Sequence, residues 1–394
     1  MSASPPPGNL VATRSADQLS QSGTRKDTHR ELRLLVLASK RPGLAPCQRY
    51  RFEQWATRLE RDHAVKMDLM PFESPALSDI LYEPGHLGPK AAWISYDFLR
   101  RLKVFPALKH YDAVVIHREA ALIGPAIYER LMAWTGKPII FDFDDGIWMP
   151  QPDHGTLFSL LHFHSKTATI CRLATAVSAG NRILADYARQ FNSAVSVVPS
   201  TIELDEYRVM PEAPLTDKFV VCWTGSSSTL VYFEHARSAL EQVAKHVPLV
   251  VKVICSKPPS RPIAGAELQF VPWRPDGEAE EVGTCHVGIM PLPDNEFTRG
   301  KCAMKALQYM ATGRPVVVSP VGVNVDVVRN GENGFLAATE REFASRLLEL
   351  ARSSELRMRL GLAARRTVET AYSASTGAAK FASIVKSVIA CRAN

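Results

Sequence analysis

Residues Lys137 to Trp148, KPIIFDFDDGIW, set Asp142, Asp144 and Asp145 directly behind an apolar run. Carboxylates this close repel one another unless a cation, a basic side chain or several donors hold them. One chemistry for such a group is an Asp-x-Asp metal site; another is a phosphatase motif; a third is the polar end of a buried strand. An Asp-x-Asp-Gly-Thr phosphatase motif would have glycine directly after the second aspartate, whereas Asp145 intervenes here and Ile147 follows Gly146. If the strand continues, Asp142 and Asp144 share one face and Asp145 points away, because side chains alternate along a strand. Basic partners are at hand in HRE, His117 to Glu119, which closes the run YDAVVI, and in QRYRF, with Arg49 and Arg51. Arg118 or Arg49 can pair with one of the carboxylates. A second charged group, Arg299, Lys301 and Lys305 in TRGKCAMK, gathers where a helical pattern begins. Free N–H groups at a helix start attract phosphate, and lysines beside them strengthen the attraction.

The elements that must position these groups are legible as short β-branched runs. LRLLVLAS (32–39), AVKMDLM (64–70), AVVIH (113–117), PIIFDF (138–143), TAVS (175–178) and VSVVP (195–199) read as strands buried on both faces. Between them RYRFEQWATRLERD and GPAIYERLMAWTG carry helical period. The pattern restarts with KFVVCWTG (218–225), LVVKVICS (249–256), LQFVPW (268–273), VGIMPL (287–292) and RPVVVSP (314–320), and the last forty residues read as two helices. The expected class is therefore α/β, as two domains with parallel sheets. Residues 1–30 are expected to be a disordered tail, 31–200 a first Rossmann-like domain and 201–216 a linker. Residues 217–375 form a second such domain, and 376–394 a C-terminal helix that can cross back to the first. Open parallel sheets bind ligands beyond the carboxyl ends of their strands, so the cleft between the halves is the expected site.

Composition narrows the partners. The chain has 394 residues, 46% hydrophobic and 22% charged, within the globular range. No stretch approaches the roughly 18 apolar residues of a membrane span. Seven scattered cysteines with no Cys-x-x-Cys pair argue for reduced thiols in a cytoplasm and against structural zinc. The net charge of +7 points to an anionic partner: nucleotide phosphates or an anionic membrane surface touched peripherally. Neither zinc-finger spacing nor an RNA-binding signature is present, so nucleic acid is not expected.

One stretch carries a resemblance. VGIMPLPDNEFTRGKCAMKALQYMATGRPVVVSPVGVNVDVVRNGENGFLA, residues 287–337, resembles the sugar-nucleotide region of retaining family-4 glycosyltransferases with the GT-B fold. QYMATGRPVV matches the pattern EAMA-x-G-x-PVV, and VGVNVDVVRNGENGFL matches the loop after it. The resemblance implies two Rossmann-like domains facing across a cleft. It implies transfer of a sugar, of hexosyltransferase type, from a nucleotide-diphosphate donor to a glycan, lipid-linked or small-molecule acceptor with retention. The nucleotide sugar would be a co-substrate, with no cofactor and no metal. A GT-A enzyme, by contrast, would use Asp-x-Asp to hold a metal but would not repeat the α/β series.

Carried onto this chain, the resemblance assigns the donor diphosphate to Arg299, Lys301, Lys305 and the helix start at Gly322, Val323 and Asn324. It places Gln308 where the family has a ribose-binding glutamate and Gly300 where it has another. Trp273 falls in the base-contacting loop, and the loop WTGSSST offers Gly225 and Ser226 to phosphate. On the acceptor side stand Arg49, Arg51, His117, Asp142 and Asp145, with a sugar contact implied for His117. Lys301, Lys305, Asp144 and Arg118 are the residues expected to act in transfer. Because Gly300 and Gln308 depart from the pattern, a non-catalytic sugar-nucleotide or glycan-binding relative is the alternative.

Overall fold

The computed structural model describes residues 30–393 apart from 82, 84, 150–162, 164 and 212–217. Most of the expected N-terminal tail and the end of the expected linker lie outside the described residues.

The first half is a six-stranded parallel sheet. Its strands are β1 (Leu32–Ala38), β2 (Val65–Pro71), β3 (Ala113–His117), β4 (Ile139–Phe143), β5 (Ala176–Ala179) and β6 (Val195–Val197), in the order β2-β1-β3-β4-β5-β6. The second half repeats the plan with β7 (Phe219–Thr224), β8 (Leu249–Cys255), β9 (Glu267–Pro272), β10 (Val287–Met290), β11 (Val316–Val318) and β12 (Phe335–Leu336). Its order, β12-β11-β10-β7-β8-β9, is the doubly wound Rossmann order read from its own first strand. All eleven runs expected as strands are strands; only the two-residue β12 was not foreseen. Residues of β3, β4 and β5 are buried along their whole length, which is why they read as unbroken apolar runs rather than alternating ones.

The strand order decides where a ligand can sit. Each sheet winds outward in both directions from a pair of strands whose following loops diverge, β1 and β3 in the first half and β7 and β10 in the second. Loops that part at such a switch point leave a crevice at the carboxyl ends.

Among the helices, α1 (Gln54–His63) follows a π-helical turn at Arg49–Glu53, and α2 (Leu87–Arg101) covers the outer first half. In the second half α3 (Met304–Ala311) follows β10, and α4 (Glu340–Arg352) and α5 (Ser354–Ala371) close the fold. The final helix, α6 (Ala374–Ala393), returns to the first half. Its Ala378, Phe381 and Val385 share one buried cluster with Phe52, Trp55, Leu34 and Val115. Phe381 meets Phe52 edge-on at 5.5 Å and Trp55 at 5.6 Å. Gly377 is required by this packing, because a β-carbon there would lie 2.6 Å from Trp55 Nε1. The linker is not a free tether: Ile202 bridges Ser373, Tyr207 is fully buried, and Trp55 Nε1 donates to Thr201 Oγ1 at 2.7 Å.

Candidate active site in the cleft between the halves

A cavity of about 530 Å³ opens where the carboxyl ends of both sheets face each other. The first half contributes Cys47, Tyr50, Arg118, Asp144 and Asp145; the second contributes Gly225–Ser226, Thr229, Trp273, Glu278, Lys301, Lys305 and Gln308 among others.

On the first wall the three aspartates do different work. Strand pairing sets His117 beside Asp142 and Asp142 beside Ser178. Asp142 is completely buried, accepts from Arg51 Nε at 2.9 Å and lies 2.9 Å from His117 Nδ1. Arg51 also donates to the Val198 carbonyl at 2.7 Å. Burial opposes the charge on Asp142, but Arg51 and His117 outweigh it and hold the carboxyl at about 2. For His117 burial again works the other way, and Asp142 with the Cys47 sulfur raises the imidazole to about 9. Arg51, His117 and Asp142 therefore stand behind the cleft wall, not on it. β4 ends at Phe143, so the alternation expected to align Asp142 with Asp144 stops there. Asp144 and Asp145 turn into the cleft instead. Arg118 donates to Asp144 Oδ1 through Nε at 3.0 Å and Nη2 at 2.8 Å, and Nη2 lies 3.8 Å from Asp145. Arg118 reaches this position from a left-handed backbone, φ 63°, a conformation costly for a residue with a β-carbon.

Arg49 sits beside the cleft, 3.1 Å from Glu206 and 3.5 Å from Glu278. The π-helical turn explains how three successive residues serve separate ends: Arg49 and Tyr50 turn toward the second half and Arg51 into the first sheet.

On the second wall, the loop after β10 carries Lys301, and Lys305 stands in the first turn of α3. Lys301 Nζ lies over the rings of Phe297 at 4.6 Å and Tyr232 at 5.4 Å; Lys305 Nζ lies over Trp223 at 5.3 Å. Among the described residues neither lysine has a carboxylate within ion-pair distance. Burial, followed by the neighbouring Lys301 charge, lowers the Lys305 amine to about 7. Two ammonium groups held on aromatic faces without a counter-ion form a site for an anion. Gly225 makes room for it: a β-carbon there would lie 2.8 Å from Lys305 Cε and 2.6 Å from Trp223. Ser226 begins only short turns, Ser227–Thr229 and Leu230–Phe233, so backbone donors rather than a long helix dipole are what it offers.

Four residues expected at the diphosphate, Arg299, Gly322, Val323 and Asn324, lie elsewhere. Arg299 is half exposed and bound to Asp294 through two contacts, at 2.6 and 3.1 Å. Gly322 packs on the Arg299 backbone, where a β-carbon would come within 2.4 Å of its carbonyl oxygen. Val323 is buried, and Asn324 spends its amide on the Ser319 carbonyl at 2.9 Å. The helix at Asn324–Val327 is four residues long, too short for a substantial dipole. Gln308 lines the cleft but its amide donates to Tyr50 Oη at 2.7 Å and Tyr207 Oη at 3.0 Å. Trp273 lines it as expected.

Sequence reasoning missed Glu278. Its Oε1 accepts from Thr224 Oγ1 at 3.0 Å and its Oε2 from Tyr50 Oη at 2.9 Å, which makes it the carboxylate at the junction of the halves. In the sequence it is one acid among several in GEAEE, and nothing local distinguishes it. Cys47 and Tyr50 were passed over for the same reason.

Residues 219–353 match the family model described as glycosyl transferases group 1. No curated protein sequence matches the chain. Among solved structures, HepE of Anabaena in complex with UDP and glucose is similar over 90% of this chain and 100% of its own, at 14% identity and TM-score 0.60. Sucrose-phosphate synthase of Thermosynechococcus elongatus is similar over 92% and 100%, at 14% identity and TM-score 0.64. A glycosyltransferase of Rickettsia africae is similar over 92% and 99%, at 13% identity and TM-score 0.63. Among the described residues no helix is long and apolar enough to cross a membrane. The chain has the two-domain GT-B fold, and its second half carries the pattern of the group 1 glycosyl transferases.

Proposed function

We propose that the protein transfers a hexose from a nucleotide-diphosphate sugar to an acceptor, with retention of configuration and without a metal in the reaction. The observation that carries this reading is the Lys301–Lys305 couple, which faces the cleft from the second wall and among the described residues has no carboxylate within ion-pair distance. A diphosphate leaving group develops negative charge as the glycosidic bond breaks, and preorganised cations in a partly dry cleft stabilise that charge. HepE, which shares the fold, was solved in complex with UDP and glucose, which supports a sugar nucleotide as the ligand. Trp273 is assigned to the base. Glu278 and the carbonyl oxygen of Gln308, whose NH2 is held by Tyr50 and Tyr207, are assigned to hydroxyls of the ribose, since both accept from a diol. Asp144, Asp145 and Arg118 are assigned to the transferred sugar and the acceptor.

The acceptor is proposed to be a glycan, a lipid-linked sugar or a small molecule, and the protein to work in the cytoplasm against an anionic membrane face. Exposed Leu87, Trp93, Tyr96 and Leu99 on α2 support that contact. Pelleting with anionic vesicles that vanishes in high salt is the expected result, and indifference to anionic lipid rejects the membrane contact.

The transfer reading is tested by screening sugar nucleotides for thermal stabilisation, then assaying transfer and donor hydrolysis with the best binder. Lys301→Ala should depress turnover about 100-fold or more, the scale expected for one charge-stabilising group. Unchanged turnover rejects the role of Lys301. Stabilisation without transfer or hydrolysis identifies a binding protein instead.

A further inference from the structure

We propose that Cys47, His117 and Asp144 form a zinc-binding site on the first wall of the cleft. One sulfur, one ring nitrogen and one carboxylate oxygen of these residues lie within 4.8 Å of one another. They come from three loops that the parallel sheet brings side by side, after β1, at the end of β3 and after β4.

The second observation is the state of His117. It is 2% exposed, its Nδ1 is engaged by Asp142 at 2.9 Å, and its Nε2 is buried without a hydrogen-bond partner. A buried polar atom left unpaired costs about 1–3 kcal/mol, so something at that position would complete the wall. With Nδ1–H donated to a carboxylate, Nε2 offers its lone pair once zinc displaces the ring's second proton, the arrangement that stands behind most zinc-bound histidines. Arg51 in turn fixes Asp142. Arg118 takes only Oδ1 of Asp144, which leaves Oδ2 to coordinate.

The donor set selects the ion. A thiolate, an imidazole and one carboxylate suit zinc and disfavour magnesium and calcium, which prefer oxygen. Charge agrees once zinc has displaced the protons of His117 and Cys47: Arg51 and Arg118 against Asp142, Asp144, Asp145 and the Cys47 thiolate leave two negative charges, which a divalent ion neutralises. Zinc bonds of about 2.0–2.3 Å require the three atoms to draw together by up to about 1 Å. Cys47 is partly exposed in the single helical turn Pro46–Gln48, so its side chain is the one with room to make that movement. Three protein ligands leave a fourth position open toward the cleft, since Cys47 and Asp144 both line it. Zinc there would fill space needed by sugar or acceptor and inhibit transfer. That consequence rests on the function proposed above, whereas the binding does not.

The test uses the full chain, stripped of metal and titrated with cobalt(II) alone, followed by absorption. One equivalent should give tetrahedral d–d bands and a thiolate-to-cobalt charge-transfer band, both displaced by zinc. Cys47→Ser should lose the charge-transfer band and weaken zinc binding about tenfold or more while keeping the wild-type melting temperature, because loss of a ligand exceeds loss of its outer partner. Asp144→Asn should weaken binding with the band retained. Cys391→Ser, on the exposed end of α6, should change nothing. Failure to bind one equivalent, a band that survives Cys47→Ser, or a band lost in Cys391→Ser overturns the proposal. Zinc-resistant turnover in Cys47→Ser would support the inhibitory role.

Discussion

At the scale of single residues, Lys305 is held in tension between burial and its task. Its amine, normally near 10.5, is lowered to about 7 by burial and by Lys301. An anion seated between the two lysines restores the charged form, so donor binding above pH 7 must take up a proton. The diphosphate of a sugar nucleotide is fully ionised throughout, so the dependence belongs to the protein. Affinity should be flat below about pH 7 and fall by up to about tenfold per pH unit above it. Calorimetry in buffers of different ionisation heat reads the uptake directly; Lys305→Met should abolish it along with the slope, and a slope that persists there places the titration elsewhere. Gly225 is the companion case. Its conformation needs no glycine, but Trp223 and the Lys305 stem leave no room for a β-carbon. Gly225→Ala should retain the fold, displace Lys305 and raise the donor KM about tenfold, in line with about 1–3 kcal/mol for overpacking; an unchanged KM would mean that the cradle does not depend on this approach.

At the scale of elements, the strand ends show what a sequence reveals and what it hides. The runs in β1, β3, β4, β7 and β10 were legible because a strand buried on both faces needs apolar residues throughout. The fate of Asp142 was not, because it depends on β3 and β5 flanking β4 and on a π-helical turn aiming Arg51 between them. Lys301 and Lys305 were legible from the motif around them, while Arg299, two residues earlier, turns to Asp294 because the capped turn Glu296–Arg299 rotates it outward. Glu278 stayed hidden because its partners Tyr50, Tyr207 and Thr224 are distant in the chain. The contact between β10 and α3 yields a prediction at this scale. Gly288 lies under the Tyr309 ring, with a β-carbon position 2.0 Å from Tyr309 Cγ, and Tyr309 Oη accepts from the Thr224 backbone at 2.8 Å. Gly288→Ala should destabilise the protein by about 3 kcal/mol in urea unfolding, at the upper end of overpacking costs. In a Tyr309→Ala background the same change should cost much less, and additive effects would show that the two residues do not meet.

At the scale of the whole molecule, the chain ends where it began. α5 packs with the second half, yet α6 completes the core of the first, so the halves facing the cleft are not independent beads. Phe381, fully buried among Phe52, Trp55 and Leu34, belongs by position to the end of the sequence and by packing to its start. Leu347 in α4 is equally buried, but against the second sheet. Phe381→Ala should therefore cost about 3–5 kcal/mol and Leu347→Ala about 2–5 kcal/mol, with the damage in opposite halves. Hydrogen exchange locates it: Phe381→Ala should speed the amides of β1 and β3 before those of β7 and β8, and Leu347→Ala the reverse. Equal acceleration in both halves from either variant would mean that the molecule unfolds only as one unit. The expected split instead leaves each half able to open separately, with Tyr50, Tyr207, Glu278 and Gln308 as the buried hydrogen-bond network between them.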